Sequence, residues 1–132
     1  MRINNKKLTN IEISGFKSIS NEGQSIPIND ITILLGANGA GKSNFISFLK
    51  MVNYMTSGAL QNFVGQSGTS DTLLHFGSKK TTRITAELTF SNSSSIDKYI
   101  FSLAHAASDT LIFTEESLSY FHCSFLLCYG MY

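Results

Sequence analysis

The sequence predicts an α/β fold: a buried strand runs through a glycine-rich loop into a helix, and an antiparallel β-meander follows. Three observations carry that expectation. Residues 31–35 (ITILL) form a continuous apolar run ending at a glycine cluster, the pattern of a strand buried on both faces. Across residues 43–55, Phe45, Phe48, Leu49 and Val52 share one helical stripe, with Ile46 beside it. Across residues 83–90, Ile84, Ala86, Leu88 and Phe90 alternate with Arg83, Thr85, Glu87 and Thr89, the period of a half-buried strand.

The remaining elements follow in chain order. Residues 8–16 alternate, with Ile11 and Ile13 on one face and Asn10, Glu12 and Ser14 on the other, so a first strand is expected there. Residues 24–28 read as a short second strand, held to an edge or a strand end by Pro27. Gly58 ends the main helix, residues 59–64 offer another helical turn, and residues 65–70 read as flexible from their composition. Leu73, Leu74 and Phe76 make a small apolar cluster before Gly77. An Asn/Ser run at 91–95 reads as a hairpin loop, and strands are expected at 99–104 and 111–115 around a turn near Ser108 and Asp109.

A chain of 132 residues with 42% hydrophobic content is large enough for one domain with a real core. The net charge of +1 supplies no global basic field. Lys6, Lys7, Lys79, Lys80 and Arg83 are candidates for a local basic face, against the plainer reading of solvated surface charge. Cys123 and Cys128 fit no zinc spacing and read as thiols in a reducing compartment. No apolar signal region follows Arg2, Lys6 and Lys7, and no stretch reaches membrane-span length, so a cytoplasmic protein is expected with no membrane partner. No acid, lysine or arginine occurs after Glu116. That change of character divides the chain into a lobe at 1–120 and an apolar tail at 121–132, which is either a packed final element or a stranded, truncated or aberrant end.

The strongest signal is the run Gly36, Ala37, Asn38, Gly39, Ala40, Gly41, Lys42, Ser43, which satisfies G-x-x-x-x-G-K-[ST] in full. A triphosphate is a dense anion, and a loop can surround it with backbone N–H donors only where side chains stay clear. Glycines give that clearance and the unusual backbone angles. The helix that follows aims its N-terminal amides and the positive end of its dipole at the phosphates. Lys42 is placed for the β- and γ-phosphates and the Ser43 hydroxyl for magnesium. ATP with Mg2+ is therefore the expected ligand. A plain turn would have no use for the Lys-Ser pair.

The segments IEISGFKS (11–18) and ITILLGANGAGKSN (31–44), with the meander after them, resemble ABC-type ATPase heads. The likeness is to the group of RecF, Rad50/SMC and OLD-like ATPases, including AAA-family ATP-binding proteins of bacterial anti-phage systems. It spans roughly residues 8–120 and is most specific in the first 44. The resemblance implies a P-loop NTPase lobe with a P-loop strand and helix plus an antiparallel meander. It implies that Lys17 and Ser18 edge the nucleotide site, that Asn44 closes the loop motif, and that Asn38 faces a partner subunit. It also implies a second ATPase head, a homodimer that sandwiches nucleotide, with DNA as a partner in repair or phage defence. A glutamine of such heads contacts the metal; Gln61 and Gln66 follow the loop here, but neither sits in a motif.

Other parts of such heads are missing from the sequence. Residues 110–116 (TLIFTEE) approach an acidic Walker B strand, but Thr114 interrupts the run and no aspartate ends it. They read as an ordinary strand with a polar end. No L-S-G-G signature occurs. The chain is thus expected to be an N-terminal lobe that binds nucleotide but is not competent for hydrolysis alone. The alternatives are a non-catalytic interaction fragment and a small P-loop kinase. A kinase lid needs several arginines, and the chain has only Arg2 and Arg83.

Overall fold

The computed structural model describes residues 6–122. Five strands form one sheet, all neighbours antiparallel, in the order β2-β1-β3-β4-β5. They are β1 (Lys7–Ser14), β2 (Gln24–Pro27), β3 (Arg83–Ser91), β4 (Ser95–Ala106) and β5 (Thr110–His122). Two helices, α1 (Lys42–Thr56) and α2 (Leu60–Gln66), interrupt the strand sequence between β2 and β3.

The alternation seen in the sequence sets the register. Ile13 stands opposite Ala86 and Ala86 opposite Phe101, while Ile84 pairs with Leu103. All five side chains are buried, because side chains at matched positions of antiparallel strands share a face. The α1 helix closes that face with Phe45, Phe48 and Met51. Phe48 lies at the centre, edge-on to Phe16 at 5.7 Å and stacked on Phe101 at 6.4 Å between ring centroids. Met51 completes the stripe that the sequence marks with Phe45, Phe48, Leu49 and Val52. Ile46 sits off the stripe and is exposed.

The expected buried strand at residues 31–35 does not form. These residues belong to no strand, and Ile31, Ile33 and Leu35 are 81%, 74% and 88% exposed. Only Leu34 packs against the core. A strand buried on both faces needs a layer above, a layer below and a hydrogen-bonding neighbour at its edges. Among the described residues nothing supplies these to 31–35, so the apolar run stands uncovered.

Three further readings change. Residues 65–70 are ordered: α2 runs to Gln66, and Ser70 is fully buried. The Ser70 N–H and hydroxyl both donate to Asp109 Oδ1, at 2.8 and 2.7 Å. A hydroxyl has one proton, so the His105 Nδ1 that lies 2.7 Å from the same oxygen is the donor in that contact. This cluster fastens the connector after α2 to the β4–β5 turn, and the Ser70 hydroxyl bond draws the Asp109 carboxyl below its ordinary range. The last two strands are longer than expected, and β5 continues through Phe121 to His122. Arg2, Cys123, Cys128 and the rest of the apolar tail from 123 onward lie outside the described residues.

Candidate functional site

The loop at 36–43 leads into α1 through Gly41, which serves as N-cap with φ 91° and ψ 0°, a left-handed conformation that side chains disfavour. Gly39 has φ 87°, so both glycines are fixed by backbone angle. Gly36 is fixed by crowding instead, since an added Cβ would meet Ala40 Cβ at 3.0 Å. No side chain caps the helix, and its first turn carries no acid. The first amides of α1 therefore keep no intrahelical acceptor, and the positive end of its dipole is not neutralised. Phe45 N–H is the first to close back, on Gly41 O at 3.0 Å.

Asn38, Gly39, Gly41, Lys42, Ser43 and Asn44 line a hollow of about 320 Å³ in front of that helix end. The Lys42 ammonium folds over the loop and donates to the carbonyls of Gly36 and, at 2.8 Å, Ala37. Its charge is held on two neutral acceptors with no carboxylate beside it, so it stays open to an anion. Uncapped amides, a helix dipole and an ammonium with no carboxylate partner converge on one hollow, and that donor set suits a polyanion.

The sequence-expected flank is partly assembled. Ser18 reaches the loop: its hydroxyl accepts from Asn44 Nδ2 at 2.7 Å, and it lies 3.4 Å from where a Cβ on Gly41 would stand. Lys17 turns away to the second turn of α1, donating to Ser47 Oγ at 2.8 Å. Burial lowers its ammonium below the ordinary lysine range. Ser47 is a partner that sequence reading missed; its place four residues after Ser43 was the available signal. Ser43 offers the only side-chain oxygen of the G-K-S end. No group of three or more acidic, histidine or cysteine side chains suited to a metal occurs among the described residues. The donor set thus fits magnesium only where phosphate oxygens complete its shell.

Neither glutamine belongs to this hollow. Gln61 clamps the backbone of Leu111, its Nε2 donating to the carbonyl at 2.6 Å and its Oε1 accepting the N–H at 3.2 Å. Gln66 accepts from Tyr54 at 3.0 Å. The TLIFTEE segment is part of β5, where Thr114 coincides with a bulge against β4. Ser102 bonds Glu115 at 3.4 Å and Tyr99 bonds Glu116 at 2.6 Å. Burial and the Glu116 carboxylate push the Tyr99 hydroxyl up to about 12, so it remains the donor. These acids serve the sheet.

The antiparallel sheet and its two helices make a mixed α/β domain. A family model described as an AAA domain matches residues 10–120, and the chain belongs to that family. Membership places it among ATPase-type nucleotide-binding domains, which in general use nucleotide and Mg2+. Among curated proteins, none is similar enough to this chain to count as a match. No helix among the described residues is long and apolar enough to cross a membrane.

Proposed function

We propose that the chain binds Mg-ATP through a Walker A loop at residues 36–43, as the N-terminal lobe of an ABC-type ATPase head of the RecF/OLD-like group. The carrying observation is the convergence of the uncapped α1 N-terminus and the Lys42 ammonium on one hollow. In this reading Lys42 leaves the carbonyls of Gly36 and Ala37 for the β- and γ-phosphates. The amides at 39–43 take the remaining phosphate oxygens, Ser43 offers its hydroxyl to magnesium, and Asn44 and Ser18 brace the loop from behind. Phosphoryl transfer depends chiefly on positioning and charge stabilisation. The described residues bring no carboxylate to this hollow to orient water, so binding without turnover is the activity assigned to this lobe. A second lobe would cover residues 31–35, a second head would complete the site, and DNA would be the partner of the assembly, in the cytoplasm.

Calorimetric titration of Mg-ATP into the chain, beside Lys42→Ala, tests the reading. Saturable binding that falls by tenfold or more in the variant is expected, because a charge-assisted contact contributes about 1.5–3 kcal/mol. A folded chain that binds no nucleotide would sink it. The exposed Ile31, Ile33 and Leu35, together with Leu118 and Phe121 on β5, favour one second reading, an interaction fragment without nucleotide chemistry. That negative titration would leave it standing.

A further inference from the structure

Phe76 is the most anomalous residue outside the loop. It has φ 56°, a left-handed conformation that a bulky side chain rarely adopts, and its side chain is 81% exposed. It sits third in the tight turn closed by Gly77 N–H on Leu74 O at 3.0 Å, a position that usually carries glycine or asparagine. Strain of this kind persists only where the surroundings over-determine it, and here they do. His75 N–H bonds Gly15 O at 3.0 Å, and His75 Nδ1 donates to Lys17 O at 2.6 Å. Thr81 bonds back twice, from its hydroxyl to His75 O at 2.5 Å and from its N–H to Gly77 O at 2.9 Å. Ser78 adds two bonds to Asp71 Oδ1, at 2.7 and 2.6 Å, and these draw the Asp71 carboxyl below its usual range. So many restraints hold one large ring out in water that packing cannot be the reason for it.

The surroundings of the ring select its ligand. The His75 ring supports Phe76 at 4.2 Å between centroids. The residues that follow, Gly77, Ser78, Lys79 and Lys80, are polar or small. Lys79 and Lys80 are exposed. Among the described residues the ion pairs are Lys6–Asp97, Lys7–Asp30 and Lys98–Glu87, which leaves Lys79, Lys80 and Arg83 outside them. An exposed aromatic ring followed three and four residues on by exposed ammonium groups, Lys79 within electrostatic reach of the Asp71 carboxylate and Lys80 in no ion pair among the described residues, is the chemistry that takes a base and its adjoining phosphate.

We propose that residues 74–80 form a nucleobase-stacking platform for single-stranded nucleic acid, with Phe76 beneath a base and Lys79 and Lys80 on the flanking phosphates. The proposal stands independently of nucleotide binding at residues 36–43. The adenine of a bound nucleotide has the same π-face, but its phosphates would already be committed to Lys42, which leaves Lys79 and Lys80 without a role. Single-stranded nucleic acid uses both.

The test is fluorescence anisotropy of a labelled oligothymidylate, which carries no adenine, with the whole chain and with Phe76→Gly. The variant is expected to melt at a higher temperature, because glycine suits the turn, and to bind about tenfold or more weakly, because base–aromatic stacking is lost. Phe76→Trp should retain binding. Replacing Lys79 and Lys80 by alanine should reduce the salt slope by about 1.4, from two phosphate contacts on a single strand. Mg-ATP titrations should be unchanged by Phe76→Gly. A wild-type chain that ignores the oligonucleotide, or a Phe76→Gly variant that binds it equally well, would overturn the proposal. A Phe76→Gly variant that loses Mg-ATP but not the oligonucleotide would assign the ring to adenine and overturn it equally.

Discussion

Strand β3 and residues 31–35 are both rich in β-branched and aliphatic side chains, and they meet opposite environments. In β3, Ile84, Ala86 and Leu88 are buried to within a few per cent, with β1 on one edge and β4 on the other. Residues 31–35 expose three of their four aliphatic side chains and pair with no strand. The difference lies in what each pattern requires. An alternating strand needs one covering layer, and α1 supplies it from within the same lobe. A continuous apolar strand needs two layers and neighbours on its edges, which is more than the described residues hold. Apolar content thus measures a demand for burial, and topology decides whether neighbouring segments can meet it.

The largest expected effect lies where the demand is met. Phe48 is fully buried between Phe16 and Phe101, so Phe48→Ala removes the centre of the helix–sheet contact and should cost about 3–5 kcal/mol. Urea unfolding would show it as a lower midpoint at an unchanged slope. A cost near zero would mean that α1 is not docked on the sheet, and the contrast with 31–35 would collapse.

An intermediate effect belongs to Gln61, which holds α2 to the start of β5 through two hydrogen bonds to Leu111. Leu111 is buried, so Gln61→Ala leaves its N–H and carbonyl short of partners and should cost about 1–3 kcal/mol. Hydrogen exchange should show faster opening at Leu111 than in β3. Uniform protection across both would show that the outer strand is secured by pairing with β4 alone.

How far the sequence could be read follows the same division. Helix α1, β1 and β3 were legible because their periodicity is satisfied by adjacent elements, and the glycine turn into α1 was legible because Gly39 and Gly41 take left-handed angles that other residues avoid. The Gln61 clamp, the Ser70–Asp109–His105 cluster and the Lys17–Ser47 bond were not. Each joins a side chain to a partner 30 or more residues away, and nothing in local spacing marks such a pair. Ser70 shows the cost of judging by composition: a Gly/Ser-rich stretch reads as flexible, yet its serine is a buried hydrogen-bonding hub. Phe76 was legible only as an apolar residue beside Leu73 and Leu74. The turn geometry that separates it from them, leaving both leucines buried and the phenylalanine in water, arises from the bonds that Gly15, Lys17 and Thr81 make to His75.

The smallest expected effect is also the sharpest test of the comparison. Ile33 is 74% exposed, so Ile33→Ser removes no packed side chain and should change unfolding stability by no more than about 0.5 kcal/mol. The same experiment on Ile84, fully buried in β3, should show a loss of about 2–5 kcal/mol for Ile84→Ala. The serine variant should also be more soluble, because it breaks an exposed aliphatic row of the kind that recruits other chains. Should Ile33→Ser instead cost as much as Ile84→Ala, residues 31–35 must be covered in solution by a second copy of the chain. Stability would then rise with protein concentration in the wild type and lose that dependence in the variant. An unchanged midpoint with better solubility would leave 31–35 as an uncovered strand whose neighbours must come from outside the described residues.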